Sequence, residues 1–162
     1  MISGKTGMKM KLILLVVSFM LVMSAGAGEP EHNGPAWVYS SDGDFLWVKQ
    51  DLIAAIENRG MVISYISHAQ SMLQRTASAV GDTQPVYDDA EIVLFCKSDL
   101  SHHLVAANPH NIVLCPYAIA VYTLAGKPDR VYLSFREPYE GDASYQPITK
   151  LLSNIINEVI GD

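Results

Sequence analysis

Ala118-Ile119-Ala120-Val121-Tyr122-Thr123-Leu124, followed after a turn at residues 125–129 by Val131-Tyr132-Leu133-Ser134-Phe135, is the stretch that decides the fold. Both runs alternate with a period of two. Ile119, Val121 and Thr123 share one side of the first, and Val131, Leu133 and Phe135 share one side of the second. Side chains of a strand point to opposite faces in turn, so two such runs around a short turn predict an antiparallel hairpin with one face on a core. The next element downstream is helical. Ile148, Leu151, Leu152, Ile155, Ile156 and Val159 fall on one stripe of a 3.6-residue repeat, and Gly161 ends it.

Upstream, residues 90–96 are a compact apolar run suited to a buried strand. Between it and the hairpin, Ser98 is placed to cap a helix carrying Leu100, Leu104 and Ala107, which Asn108-Pro109 stops. Residues 112–114 then read as a short strand before Cys115-Pro116-Tyr117. Residues 70–80 predict a short helix ended by Gly81, with a polar loop over 82–89. Residues 61–67 are dense in strand formers. Val48, Leu52, Ala55 and Ile56 draw a helical stripe that Gly60 terminates. Residues 36–40 are a first strand, 41–44 a turn, and 28–44 together a flexible N-terminal segment carrying that strand ahead of a domain over 45–162. Consecutive antiparallel strands with helices on one face make an α+β sandwich, with two short helical insertions around one strand.

Residues 1–27 read as a leader. Lys5, Lys9 and Lys11 make a basic start, residues 12–22 are apolar apart from Ser18, and Ala25-Gly26-Ala27 offers small residues for cleavage between Ala27 and Gly28. Met8 or Met10 would serve equally as the start. The apolar run covers 11 residues, against the roughly 20 of a membrane-spanning helix; a retained anchor is the competing reading. The expected location is therefore periplasmic or secreted, with no membrane contact after cleavage. Of the 11 basic residues three lie in the leader, leaving eight against 17 acidic ones and a charge of about −9. So acidic a domain offers no footprint for nucleic acid or an anionic membrane.

Phe95-Cys96-Lys97-Ser98, Met72-Leu73-Gln74-Arg75-Thr76, Asn108-Pro109-His110-Asn111-Ile112, Arg136-Glu137-Pro138 and above all the octet from Cys115 to Tyr122 occur here in order. This ordered set resembles the bacterial and archaeal domain of unknown function 302 family, over roughly residues 45–160. The resemblance implies a β-α-β(4)-α core similar to one half of the TATA-binding-protein architecture. It implies no DNA binding and no settled activity.

Three constellations could carry chemistry. Cys96 and Cys115, in an oxidising compartment, suit a disulfide; a redox or metal-binding pair and two free thiols remain open. Eighteen intervening residues rule out a C-x-x-C oxidoreductase motif. Cys96, His102, His110 and Cys115 carry ligand types for zinc or copper but match no recognised spacing, and a haem attachment motif is absent. No cofactor is therefore expected. Arg75, Tyr117 and Arg136 would form an anion or carboxylate site if they converged; pairing of each arginine with an acidic residue is the plainer alternative. Signature motifs of hydrolases, metalloproteases and nucleotide enzymes are missing. The expectation is an exported accessory or small-ligand-binding protein without catalysis. The alternatives are a thiol-based redox or metal protein, and a homodimer formed through the terminal helix or an open sheet edge.

Overall fold

The computed structural model describes residues 28–82, 84–138, 141 and 143–161. The expected leader and its cleavage point at Ala27 lie outside them. In chain order the elements are β1 (Gly28–Asn33), β2 (Ala36–Asp42), α1 (Phe45–Glu57), β3 (Val62–Ser67), α2 (Ala69–Val80), β4 (Tyr87–Cys96), α3 (Ser98–Ala107), a 3₁₀ segment (Pro109–Leu114), β5 (Tyr117–Leu124), β6 (Lys127–Arg136) and α4 (Gln146–Ile160), the last entered through a short 3₁₀ turn (Ala143–Tyr145). The strands form one six-stranded sheet in the order β1-β2-β6-β5-β4-β3, antiparallel throughout. From β2 onward this is the expected β-α-β(4)-α core, with α2 and α3 as the two insertions.

Capping and periodicity make the helices of the core. The Asp44 carboxylate accepts from the backbone N–H of Leu46 at 2.9 Å and of Trp47 at 3.2 Å, satisfying two donors that the first turn of α1 leaves open. Val48, Leu52, Ala55 and Ile56 then point inward. Ile148, Leu152, Ile155 and Ile156 do the same on α4, which Gly161 closes at φ +83°. The two helices lie side by side on one face of the sheet, over Val93, Phe95, Ile119, Val121, Val131 and Leu133. Arg59 ties them by donating to Ala55 O at 2.7 Å and Asn154 O at 3.3 Å. Tyr39 Oη on β2 donates to Ser153 Oγ of α4 at 3.0 Å. Among the described residues no helix is long and apolar enough to cross a membrane.

Four local expectations change. Residues 28–33 are a strand, β1, rather than a flexible lead: the edge of β2 is free to pair, and the His32 ring packs on Trp37 with centroids 4.9 Å apart. β4 begins at Tyr87, inside the expected loop, because Tyr87 pairs with Leu124 past a bulge. The hairpin turn narrows to Ala125-Gly126, with Gly126 at φ +76° and its N–H donating to Asp88 Oδ2 at 3.0 Å. Residues 112–114 form part of a 3₁₀ segment, not a strand. Asn108 Oδ1 accepts from His110 N at 3.0 Å, and buried Asn111 donates to Leu104 O at 3.0 Å and accepts from Tyr145 Oη at 2.8 Å. Those side-chain bonds hold the backbone in a tight turn that apolarity alone does not report.

Candidate functional site

β4 ends on Cys96, α3 and the 3₁₀ segment carry the chain out and back, and Cys115 stands just before β5. This path brings the two thiols together: their Sγ atoms lie 2.9 Å apart, with no covalent bond between them. Ser101 of α3 donates to Cys115 Sγ at 3.7 Å and meets Tyr117 Oη at 3.3 Å. The Cys115–Pro116 peptide is cis. Burial pushes the Cys96 thiol up to about 11, and the hydrogen bond to Cys115 and its nearby charge push the same way. Burial likewise raises the Tyr117 phenol, against the lowering effect of the Ser101 hydrogen bond. At neutral pH Cys96 is therefore a protonated thiol and a poor nucleophile.

The histidines do not join this corner. His102 and His103 lie exposed on α3 and His110 is exposed on the 3₁₀ segment, whose inward position is taken by Asn111. Among the described residues no three His, Cys, Asp or Glu side chains gather as metal ligands. Of the set Cys96, His102, His110 and Cys115, the structure brings only the cysteines together.

Arg75, Tyr117 and Arg136 do not converge either. Tyr117 pairs with Phe95 and is buried on the face under α1 and α4. Arg136 is exposed at the end of β6 opposite Ala36, on the other face from Phe135. Arg75 stands on α2 over the far end of β4, beside Asp89 and Glu91. Four strand residues from Glu91 to Phe95 put it about 13 Å along the sheet from Tyr117's level.

Arg75 does, however, line a cavity. A cleft of about 600 Å³ lies between α2 and the β3–β4 edge, walled by Tyr65, Ser67, His68, Met72, Arg75 and Ala90. The Arg75 guanidinium donates to Ser71 Oγ at 3.4 Å, and among the described residues no carboxylate pairs with it. Glu91 is already engaged, by Lys49 at 3.2 Å and by His68 Nδ1 at 3.1 Å. Asp89 and Glu91 both line the cleft, and among the described residues neither forms an ion pair with Arg75. Sequence reasoning missed Tyr65, His68 and Glu91. Glu91 had a signal, being the one acidic residue inside the apolar run 90–96.

The family model for the domain of unknown function DUF302 matches residues 37–159. The chain belongs to the DUF302 family. A crystal structure of an uncharacterised conserved DUF302 protein from Bacillus stearothermophilus superposes with a TM-score of 0.64 at 12% identity, covering 78% of this chain and 99% of that one. That likeness speaks for the fold. Among curated proteins no match is found. The DUF302 match starts at Trp37 in β2, so β1 lies outside it, whereas the thiol corner and the α2 cleft both lie within it.

Proposed function

We propose that this DUF302 protein is an exported binding module that holds a small anionic molecule in the cleft beneath α2. The observation that carries the reading is Arg75: a guanidinium on a cavity wall with no carboxylate partner among the described residues. Arginine's planar fork matches a carboxylate or phosphate in two parallel hydrogen bonds. Tyr65 and Met72 supply an aromatic and an adaptable apolar surface for the rest of the ligand. Export rests on the basic start, apolar run and Ala25-Gly26-Ala27 of the leader. Binding without catalysis rests on the missing enzyme signatures. The test is a thermal-shift screen of small carboxylates and phosphates on the wild type and on Arg75→Ala. A ligand that raises the melting temperature of the wild type should bind the variant at least ~10-fold more weakly, the loss of charge-assisted hydrogen bonds. A screen without hits, or hits that ignore the substitution, refutes the reading.

The contact between Cys96 and Cys115 favours a second reading, a thiol–disulfide couple. Two thiols would give two electrons and two protons to an external disulfide, which leaves as two thiols while one S–S bond forms here. Intact-mass analysis across a glutathione redox series tests it. A loss of two hydrogens with a defined midpoint supports a couple; cysteines that stay reduced in every buffer refute it.

A further inference from the structure

β4 outruns its neighbour. β3 ends at Ser67, opposite Ile92, so residues 89–91 of β4 have no strand beside them on that side, and α2 packs against β4 instead. The cleft beneath α2 opens at this step in the sheet, where side chains from both faces of β4 reach it. Ala90 comes from the face away from α1 and α4, opposite Tyr122. Asp89 and Glu91 come from the core-facing side, opposite Thr123 and Val121. Glu91 is held by Lys49 and His68. Asp89 is held only by its backbone, whose N–H donates to Thr123 Oγ1 at 3.1 Å; among the described residues no group bonds to its carboxylate. Arg75 faces the same cleft with Ser71 as its one partner among the described residues.

We propose that the ligand of this cleft is a zwitterion, a free amino acid or a short peptide, with its carboxylate on Arg75 and its ammonium on Asp89. The inference rests on the reading of Arg75 as the partner of an anionic group and adds the other end of the molecule. Charge selects it. One guanidinium and one carboxylate line a single cavity, and among the described residues no ion pair joins them. A ligand with only a negative group gains at Arg75 and is repelled by Asp89; one with only a positive group meets the reverse. A ligand that carries both makes a charge-assisted hydrogen-bonded pair at each end. It also leaves the cleft neutral, because Glu91 is already balanced by Lys49. Size agrees. The cavity of about 600 Å³ falls inside the ~300–1,000 Å³ of small-molecule sites. Ala90 keeps the floor beside Asp89 low, and Tyr65 and Met72, both exposed, offer an apolar wall to the ligand's own side chain.

Isothermal titration of the wild-type chain with glycine, phenylalanine, γ-aminobutyrate, diglycine and triglycine tests the inference. Each probe is run beside its N-acetyl form, which keeps only the carboxylate, and its methyl ester, which keeps only the ammonium. At least one zwitterion should bind ~10-fold or more tightly than both of its derivatives, and its length tells an amino acid from a peptide. Asp89→Asn should abolish the advantage over the N-acetyl form and strengthen binding of that form, since the repelling charge is gone. Arg75→Ala should abolish the advantage over the methyl ester. Both side chains are exposed; Asp89→Ser or Arg75→Gln replaces a variant that loses its cooperative melt. N-acetyl forms that bind the wild type as tightly as the free amines, and still depend on Arg75, overturn the zwitterion and leave the anion-binding reading standing. An amine preference that survives Asp89→Asn overturns it equally. So does a lack of binding by every probe, in which case the carboxylate and phosphate screen decides the anion-binding reading separately. Binding indifferent to Arg75→Ala overturns both.

Discussion

Oxidising Cys96 and Cys115 to a disulfide should raise the stability of the folded chain by about 3 kcal/mol. The figure follows from the loop the bond would close. The cysteines are 19 positions apart, and the chain-entropy model removes ~11 cal/mol/K from the unfolded ensemble for a loop of that size, or ~3 kcal/mol at 25 °C. The sulfurs are already in contact at 2.9 Å, so little native geometry must be disturbed. For a domain of this length an unfolding entropy of ~2.1 cal/mol/K per residue converts the gain into a melting-temperature rise of ~10 °C. The assay compares the same wild-type chain after mild oxidation and after reduction, by calorimetry and by urea titration. Using one sequence in two redox states leaves the core packing of the cysteines unchanged. The double variant Cys96→Ala/Cys115→Ala should show no redox dependence. Two states that melt within ~2 °C of one another refute the loop argument. Two thiols titrating in denaturant after oxidation refute the bond itself.

The raised Cys96 thiol predicts slow chemistry in the reduced protein: alkylation at pH 8 should run roughly 100-fold below that of an unhindered thiol, and climb about tenfold per pH unit, levelling only near 11. A rate already flat by pH 9 contradicts that placement. The same group sets a pH dependence of stability. Its folded value lies above the ordinary 9.0, so its contribution is intact below pH 9.0 and is lost as pH rises towards 11, visible in urea melts of the reduced chain. Asn111→Ala should cost ~2–3 kcal/mol, because it removes two hydrogen bonds at a buried position and leaves the Tyr145 hydroxyl without its acceptor; a loss under ~0.5 kcal/mol in a urea melt would mean the 3₁₀ segment is held by something else.

The parts of this fold legible in the sequence are those whose order is periodic. β5, β6 and α4 declare themselves because burial repeats at two or at 3.6 residues, and the ordered family motifs supply the strand count between them. β1 was illegible: Gly28-Glu29-Pro30-Glu31-His32-Asn33 has almost no strand character of its own and exists because β2 offers an edge. The Ile112-Val113-Leu114 run misled in the opposite sense. Its apolar residues suggest a strand, while Asn108 and Asn111 dictate the turn through contacts with Leu104 and Tyr145, the latter 34 positions away. The proposed arginine site failed for a reason that alternation itself contains. Tyr117 shares parity with Ile119 and Val121, so β5 was bound to turn it towards the core, while Arg136 sits one step from Phe135 and turns away. Nearness of the cysteines, by contrast, was readable from the turn that must join β4 to its neighbour β5.

The placement of β2 between β1 and β6 has a consequence for the order in which the chain folds. Tyr39 finds Leu133 as its neighbour, so the first strand of the core waits for nearly the last. Until residues 131–156 emerge, Leu52 and Ile56 of α1 have only the β3–β4–β5 half of the sheet to cover, and β2 has only β1 beside it. Such non-local pairing folds slowly and leaves apolar surface open meanwhile. Late closure of this sheet makes the emerging N-terminal half the segment that a holding chaperone would have to cover.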